Sequence, residues 1–148
     1  QAKLPEGATL QAIVIASDET HLTNYSGDKT MHAVYITLGN IHSDVRRKPT
    51  FGAWMLLAKL PTSRFANTTF DSSGTKAEAL CMPGILKQQL FHESLKIVLA
   101  PLSVSHRHLT KALGPDGYMR HTFPVLMGWI ADLKEQLVIA GVTQYACP

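Results

Sequence analysis

The stretch IVIASDETHLTNYSGDKTMHAVYITLGNI, residues 13–41, contains two strands and the connection between them. Ile13-Val14-Ile15-Ala16 is a short, unbroken apolar run bounded by polar residues, the pattern of a strand buried inside a sheet. That pattern places the end of the strand at Asp18. Ser26-Gly27-Asp28-Lys29 reads as a turn, and Ala33-Val34-Tyr35-Ile36-Thr37-Leu38 is a β-branched and aromatic run halted by Gly39-Asn40. An acidic side chain leaving a rigid apolar strand has a fixed backbone and a wet tip, which is where α/β folds place catalytic and metal-binding carboxylates. Asp18 is therefore the first candidate site residue. By residue type alone the commoner reading is an aspartate that satisfies the amides of a turn.

Outward from this unit, Gln1–Thr9 reads as an extended lead-in, and a chain that begins with Gln points to residues missing upstream. His42–Pro49 is polar and basic, so Arg46, Arg47 and Lys48 form either a phosphate-backbone contact or a solvated turn. Ala53–Leu60 reads as a third strand stopped by Pro61, and 61–79 as a long surface loop whose Asn67-Thr68-Thr69 sequon is fortuitous. Leu86, Leu90, Leu95, Val98, Leu99 and Leu102 recur at helical steps, which predicts a helix from Pro83 to Ala100 that Pro101 ends. Ser103–Gly114 is a polar connection. Gly114-Pro115-Asp116-Gly117 is a turn between paired strands. The run Phe123–Ala131 then ends in Asp132, repeating the pattern of Asp18, and Leu137–Val142 reads as one more strand. Asp132 has a second reading, as the cap of a helix begun by Leu133–Gln136.

The 148 residues amount to one domain, and 45% hydrophobic with 17% charged residues is a globular composition. No apolar run approaches the roughly 20 residues of a membrane span, and no basic start with an apolar core marks the first residues. A net charge of +3 favours a phosphate-bearing partner only weakly. Cys81 and Cys147 lie far apart, as free thiols in a reducing compartment would. The seven histidines have no zinc spacing, and His92-Glu93 lacks the second histidine of a metalloprotease helix. Neither a phosphate-cradling glycine loop nor a Gly-x-Ser-x-Gly turn occurs. Trp54 and Trp129 fall in apolar runs and are expected in the core.

Several strings together resemble the Plavaka group of fungal DNA transposases, relatives of the Kyakuja, Dileera and Zisupton transposases. They are Ser17-Asp18-x-Thr20-x-Leu22, Tyr25-Ser26-Gly27-Asp28-Lys29, Val34–Ile41 and Arg46-Arg47-Lys48-Pro49. The likeness resumes at Leu90-Phe91-His92-Glu93, Ala100-Pro101-Leu102, Asp116-Gly117 with Arg120, Phe123-Pro124-Val125-Leu126, and Ala131-Asp132 with Glu135-Gln136. The resemblance implies an α/β, ribonuclease-H-like mixed sheet with helices, strands one to three antiparallel, present here as a single-domain, incomplete piece of a larger catalytic core. It implies a nuclear enzyme of a transposable element that cuts and joins transposon ends and target DNA with Mg²⁺ or Mn²⁺ in a two-metal DDE/D site.

In that scheme Asp18 and Asp132 are the first two catalytic and metal-binding acids, on neighbouring strands with their carboxylates within reach of one ion pair. The third acid is expected beyond Pro148, Glu135 is a reserve ligand, and Cys147-Pro148 resembles the start of a Cys-Pro-x-Cys zinc element. Glu19 stands where the family pattern has a basic residue, His32-Ala33 where it has Trp-Pro, and Leu133-Lys134 where it has Tyr-Pro. Such drift suits a decayed copy, and with no third carboxylate after Asp132 and the zinc element cut at Cys147-Pro148 the isolated chain is expected not to cleave or join DNA. Two other readings compete: a domesticated fragment that only binds nucleic acid or a protein, and an unrelated α/β domain.

Overall fold

In the computed structural model, which describes residues 7–23, 29–63, 65, 68, 76–105, 110–114 and 116–142, the run Ile13–Ala16 is the part of its strand paired on both sides. The elements in chain order are β1 (Ala8–His21), β2 (Thr30–Leu38), the short helix α1 (Ser43–Arg46), a 3₁₀ turn (Pro49–Phe51), β3 (Met55–Leu60), α2 (Lys76–Ser105), β4 (Thr110–Leu113), β5 (Met119–Ile130) and α3 (Leu133–Ala140). They build one five-stranded mixed sheet in the order β3-β2-β1-β5-β4. β2 pairs antiparallel with residues 13–21 of β1, and β5 pairs parallel with residues 8–16. Only residues 13–16 have neighbours on both edges, and they are the residues that read as a buried strand. β1 itself runs further in both directions, so Asp18 lies inside the strand, opposite Ala33 of β2, and not at its tip.

Strand alternation gives β1 two distinct faces. Ile13, Ile15 and Ser17 are buried on one, together with Val34 of β2 and Leu60 of β3. α2 lies over this face through Phe91 and Leu95, with Val98, Leu99 and Leu102 half-buried beside them, and Trp129, Val138 and Ile139 close the cluster. The spacing 91, 95, 98, 99, 102 is one stripe of a helix. Segment 39–54 crosses part of the other face, where the Thr37 hydroxyl donates to the Ala53 carbonyl at 2.7 Å. Gly39 and Asn40 end β2 for a physical reason: a Cβ on Gly39 would come within 3.1 Å of the Ala12 Cβ, and the Asn40 amide takes over the ladder. Its Oδ1 accepts from the Ala12 N–H at 2.8 Å, and its Nδ2 donates to the Leu10 carbonyl at 3.0 Å.

The three antiparallel first strands, the hairpin at 114–117 and the long helix agree with the sequence reading, and three expectations do not. α2 starts at Lys76 and continues to Ser105, so neither does Pro83 open it nor Pro101 close it. A proline removes one backbone hydrogen bond, but the half-buried Leu102 keeps the last turn on the sheet, and the Ser105 hydroxyl donates to the Pro101 carbonyl at 2.8 Å. Residues 137–140, expected as a strand, belong to α3. Their β-branched run is overridden by local signals at both ends. Asp132 caps the start, and Gly141, at φ 67°, lets the chain close a Schellman-type end in which the Val142 N–H reaches the Leu137 carbonyl. β4 covers only residues 119–122 of β5, so Pro124 has a neighbouring strand on one edge alone, opposite Gln11 of β1.

The Ser26–Asp28 turn, the sequon residues Asn67 and Thr69, His106, His108 and Cys147-Pro148 lie outside the described residues. Cys81 is a free, exposed thiol, and no described helix is long and apolar enough to cross a membrane.

Truncating the fully enclosed Val34 to Ala removes methyl groups that nothing can replace. Urea denaturation should show a loss of about 1–3 kcal/mol. Leu126→Ala, at a residue 52% exposed, should stay within about 0.5 kcal/mol of the parent.

Candidate functional site

β1 and β5 run parallel and end side by side, and the last register pair between them is Ala16 opposite Ile130. Asp18 and Asp132 each stand two residues beyond that pair. The expectation that their strands are neighbours is therefore met. Beyond Ile130 the two chains part. β1 continues against β2 alone, while β5 turns at Ala131-Asp132 into α3.

The two carboxylates have different surroundings. Asp18 is exposed, alternates with the buried Ser17, and so projects on the face away from α2; its Oδ2 accepts from the Thr20 hydroxyl at 2.9 Å. Asp132 is the cap of α3, with Oδ1 accepting from the Glu135 N–H at 2.7 Å. It also lines a cleft of about 260 Å³ between α2 and α3, together with Glu19, His32, Lys87, Phe91 and Glu135. Asp18 does not line that cleft.

What the fold brings together at the cleft floor is a polar cluster that the sequence reading did not single out. The Ser17 hydroxyl donates to Glu135 Oε1, and His32 Nε2 lies 2.9 Å from the same oxygen. The Trp129 indole N–H donates to the Ser17 oxygen at 2.7 Å, and the His32 ring stacks on Phe91 with centroids 5.3 Å apart. The His32 and Glu135 side chains are only 10% and 11% exposed. A signal was present: Ser17 continues the alternation of Ile13 and Ile15, and His32 that of Val34 and Ile36, so both are polar residues at inward positions. Glu135 stands where a capping-box glutamate would reach back to the cap residue, but it reaches across to the sheet instead.

At the rim, Lys87 donates to Glu19 Oε2 at 3.3 Å. Partial burial acts to raise the Glu19 carboxyl, but the Lys87 hydrogen bond and charge, helped by Thr30 and His32, hold it below its ordinary value of 4.5. On the β4–β5 hairpin, Arg120 forks onto Asp116, which also accepts from the Tyr118 N–H, and this pairing holds the Asp116 carboxyl far below the usual range. Asp116 and Arg120 thus fasten a turn. Of the basic trio, Arg46 donates to the Gly39 carbonyl at 3.3 Å, Arg47 pairs with Asp44 at 2.5 Å, and the Lys48 ammonium sits 5.7 Å from the Phe51 ring centroid.

Residues 1–148, the whole chain, match the family Plavaka transposase. The chain belongs to that family. Membership implies a transposase of a transposable element, with DNA as a partner. No curated protein and no solved structure matches the chain. Aspartates offer the hard oxygens that Mg²⁺ or Mn²⁺ requires. Among the described residues, however, no three His, Cys, Asp or Glu side chains form a group that could hold an ion. The described residues by themselves therefore do not supply a complete two-metal site.

Because the folded Glu19 carboxyl lies below its unfolded value, its pairing with Lys87 stabilises the fold above about pH 4.5 and loses that contribution as the pH falls through the folded value. Lys87→Met should cost under about 1 kcal/mol at pH 7, since the pair is partly exposed. The gap in urea midpoint between parent and variant should close as the pH is lowered below 4.5.

Proposed function

We propose that this chain is part of the catalytic core of a nuclear, transposon-encoded transposase of fungal type, which cleaves transposon ends and joins them to target DNA. The observation that carries the reading is the equivalent placement of Asp18 and Asp132, two residues past the last pair of adjacent parallel strands, in a chain whose whole length matches the transposase family. The sheet supports a ribonuclease-H-like core: three antiparallel strands, a crossing helix, then a hairpin whose second strand, β5, lies parallel to the first on its other edge. In this reading Asp18 and Asp132 are the acids that hold Mg²⁺ or Mn²⁺. Held by these carboxylates, such ions would supply Lewis acidity toward the oxygens of a phosphodiester. The chain's own part is to set the carboxylates. The Asp132 cap uses Oδ1 and leaves Oδ2 for a ligand, and Thr20 steadies Asp18. Arg46, Arg47 and Lys48 lie together on the β2–β3 connection and would meet the DNA backbone as positive charge.

A second reading is a domesticated or decayed copy that binds nucleic acid without cutting it. It is favoured by the separation of the two aspartates onto different sides of the sheet margin and by the absence of a three-ligand group among the described residues.

Incubated with labelled terminal-repeat DNA and Mn²⁺, the 148-residue chain should give no nicked product, because each missing electrostatic contact costs roughly a hundredfold or more in rate. Calorimetry should show weak Mn²⁺ binding that Asp18→Ala and Asp132→Asn each abolish. Mn²⁺ binding indifferent to both substitutions would remove the catalytic reading, and metal-dependent nicking would show that the third ligand lies within these residues.

A further inference from the structure

We propose that Glu135 is a positioning residue: its carboxylate docks α3 on the sheet and thereby sets where Asp132 presents its own. The proposal rests on the reading of Asp132 as a catalytic acid. α3 has eight residues and no buried one, so it is too short to hold itself and takes its orientation from what it touches. Glu135 provides the polar part of that docking. Its Oε1 receives both the Ser17 hydroxyl of β1 and His32 Nε2 of β2, while Val138 and Ile139 supply the apolar part.

The anchors are themselves fixed. Ser17 is held by the Trp129 indole of β5, and His32 by the face of Phe91 of α2. One carboxylate thus ties α3 to β1 and β2 directly, and to β5 and α2 through their side chains. The step to Asp132 is short. The Glu135 amide donates to Asp132 Oδ1, so the backbone that Glu135 pins to the sheet is the backbone that aims Asp132. The same network ends on Ser17, the residue before Asp18, and steadies β1 where that carboxylate leaves it. Glu135 Oε1 already carries two partners and the side chain is 11% exposed, so a ligand role would fall to Oε2 alone. Turning Oε1 to a metal would leave Ser17 and His32 buried without their acceptor.

The role predicts that the acceptor oxygen matters and the negative charge does not. In the metal-free 148-residue chain, Glu135→Ala should speed hydrogen exchange of the residue 135 amide and of the Trp129 indole N–H at least about tenfold, with the Ile15 amide unchanged. Glu135→Gln, which keeps an oxygen for Ser17 and His32, should stay within about threefold. Titrated with Mn²⁺, Glu135→Ala should bind about 10-fold to 100-fold more weakly and Glu135→Gln nearly as the parent does, whereas Asp132→Asn should not bind. Exchange in Glu135→Ala equal to the parent overturns the proposal. So does a Glu135→Gln variant that loses Mn²⁺ as Asp132→Asn does, which would make Glu135 a ligand. If Glu135→Ala does not fold, Ser17→Ala removes one of the two anchors, and unchanged exchange there overturns the proposal equally. A parent chain that binds no Mn²⁺ sinks the catalytic reading of Asp132 alone, and the metal-free exchange still decides whether Glu135 positions α3.

Discussion

The structure depends on the two-sided pairing of Ile13–Ala16. A strand with partners on both edges cannot slip without breaking two ladders, and a shift of one residue would turn Ile13 and Ile15 out of the core. Everything else is placed relative to it. β2 and β3 continue the sheet on one edge, β5 and β4 on the other, and α2 covers the face on which Ile13, Ile15 and Val34 meet Phe91 and Leu95.

The partial overlap of the two neighbours also creates the polar margin of the sheet. β5 leaves the sheet at Ile130 while β1 runs on to His21, so the margin beyond residue 16 is bordered by β2 on one side and by the turn into α3 on the other. Polar groups collect there because backbone pairing has ended on one edge while burial has not. Ser17, His32 and Glu135 are inward-facing polar residues that would each be costly alone, and together they satisfy one another; among the described residues no buried side-chain polar atom lacks a partner.

The family membership and this geometry bear on different questions. Membership covers the whole chain and speaks to lineage and to DNA as partner. The geometry speaks to chemistry, and it separates the roles of three carboxylates that look alike in sequence. Asp18 is exposed beside Thr20, Asp132 caps a helix at a cleft, and Glu135 is locked into the sheet. The two readings once open for Asp132, cap and site acid, are compatible, because the cap engages one carboxylate oxygen only.

Local pattern alone determined the elements whose residues answer to immediate neighbours. The apolar run of β1, the β-branched run of β2 halted at Gly39-Asn40, the turn at 114–117 and the leucine stripe of α2 were all legible, since hydrophobic alternation and turn chemistry act over a few residues. The limits of those elements were not. β1 is long because of strands distant in sequence, α2 passes Pro101 because Leu102 has a sheet to rest on, and 137–140 is helical because Asp132 and Gly141 bracket it against the core. The aspartates could be named from the chain as acids that follow apolar runs, but which face each one takes was decided by register and by the turn at Ile130. The Ser17–Glu135–His32 cluster joins residues 15 to 118 positions apart, and no local period encodes such a contact. Only the packing of α3 onto β1 and β2 brings its members within hydrogen-bonding distance.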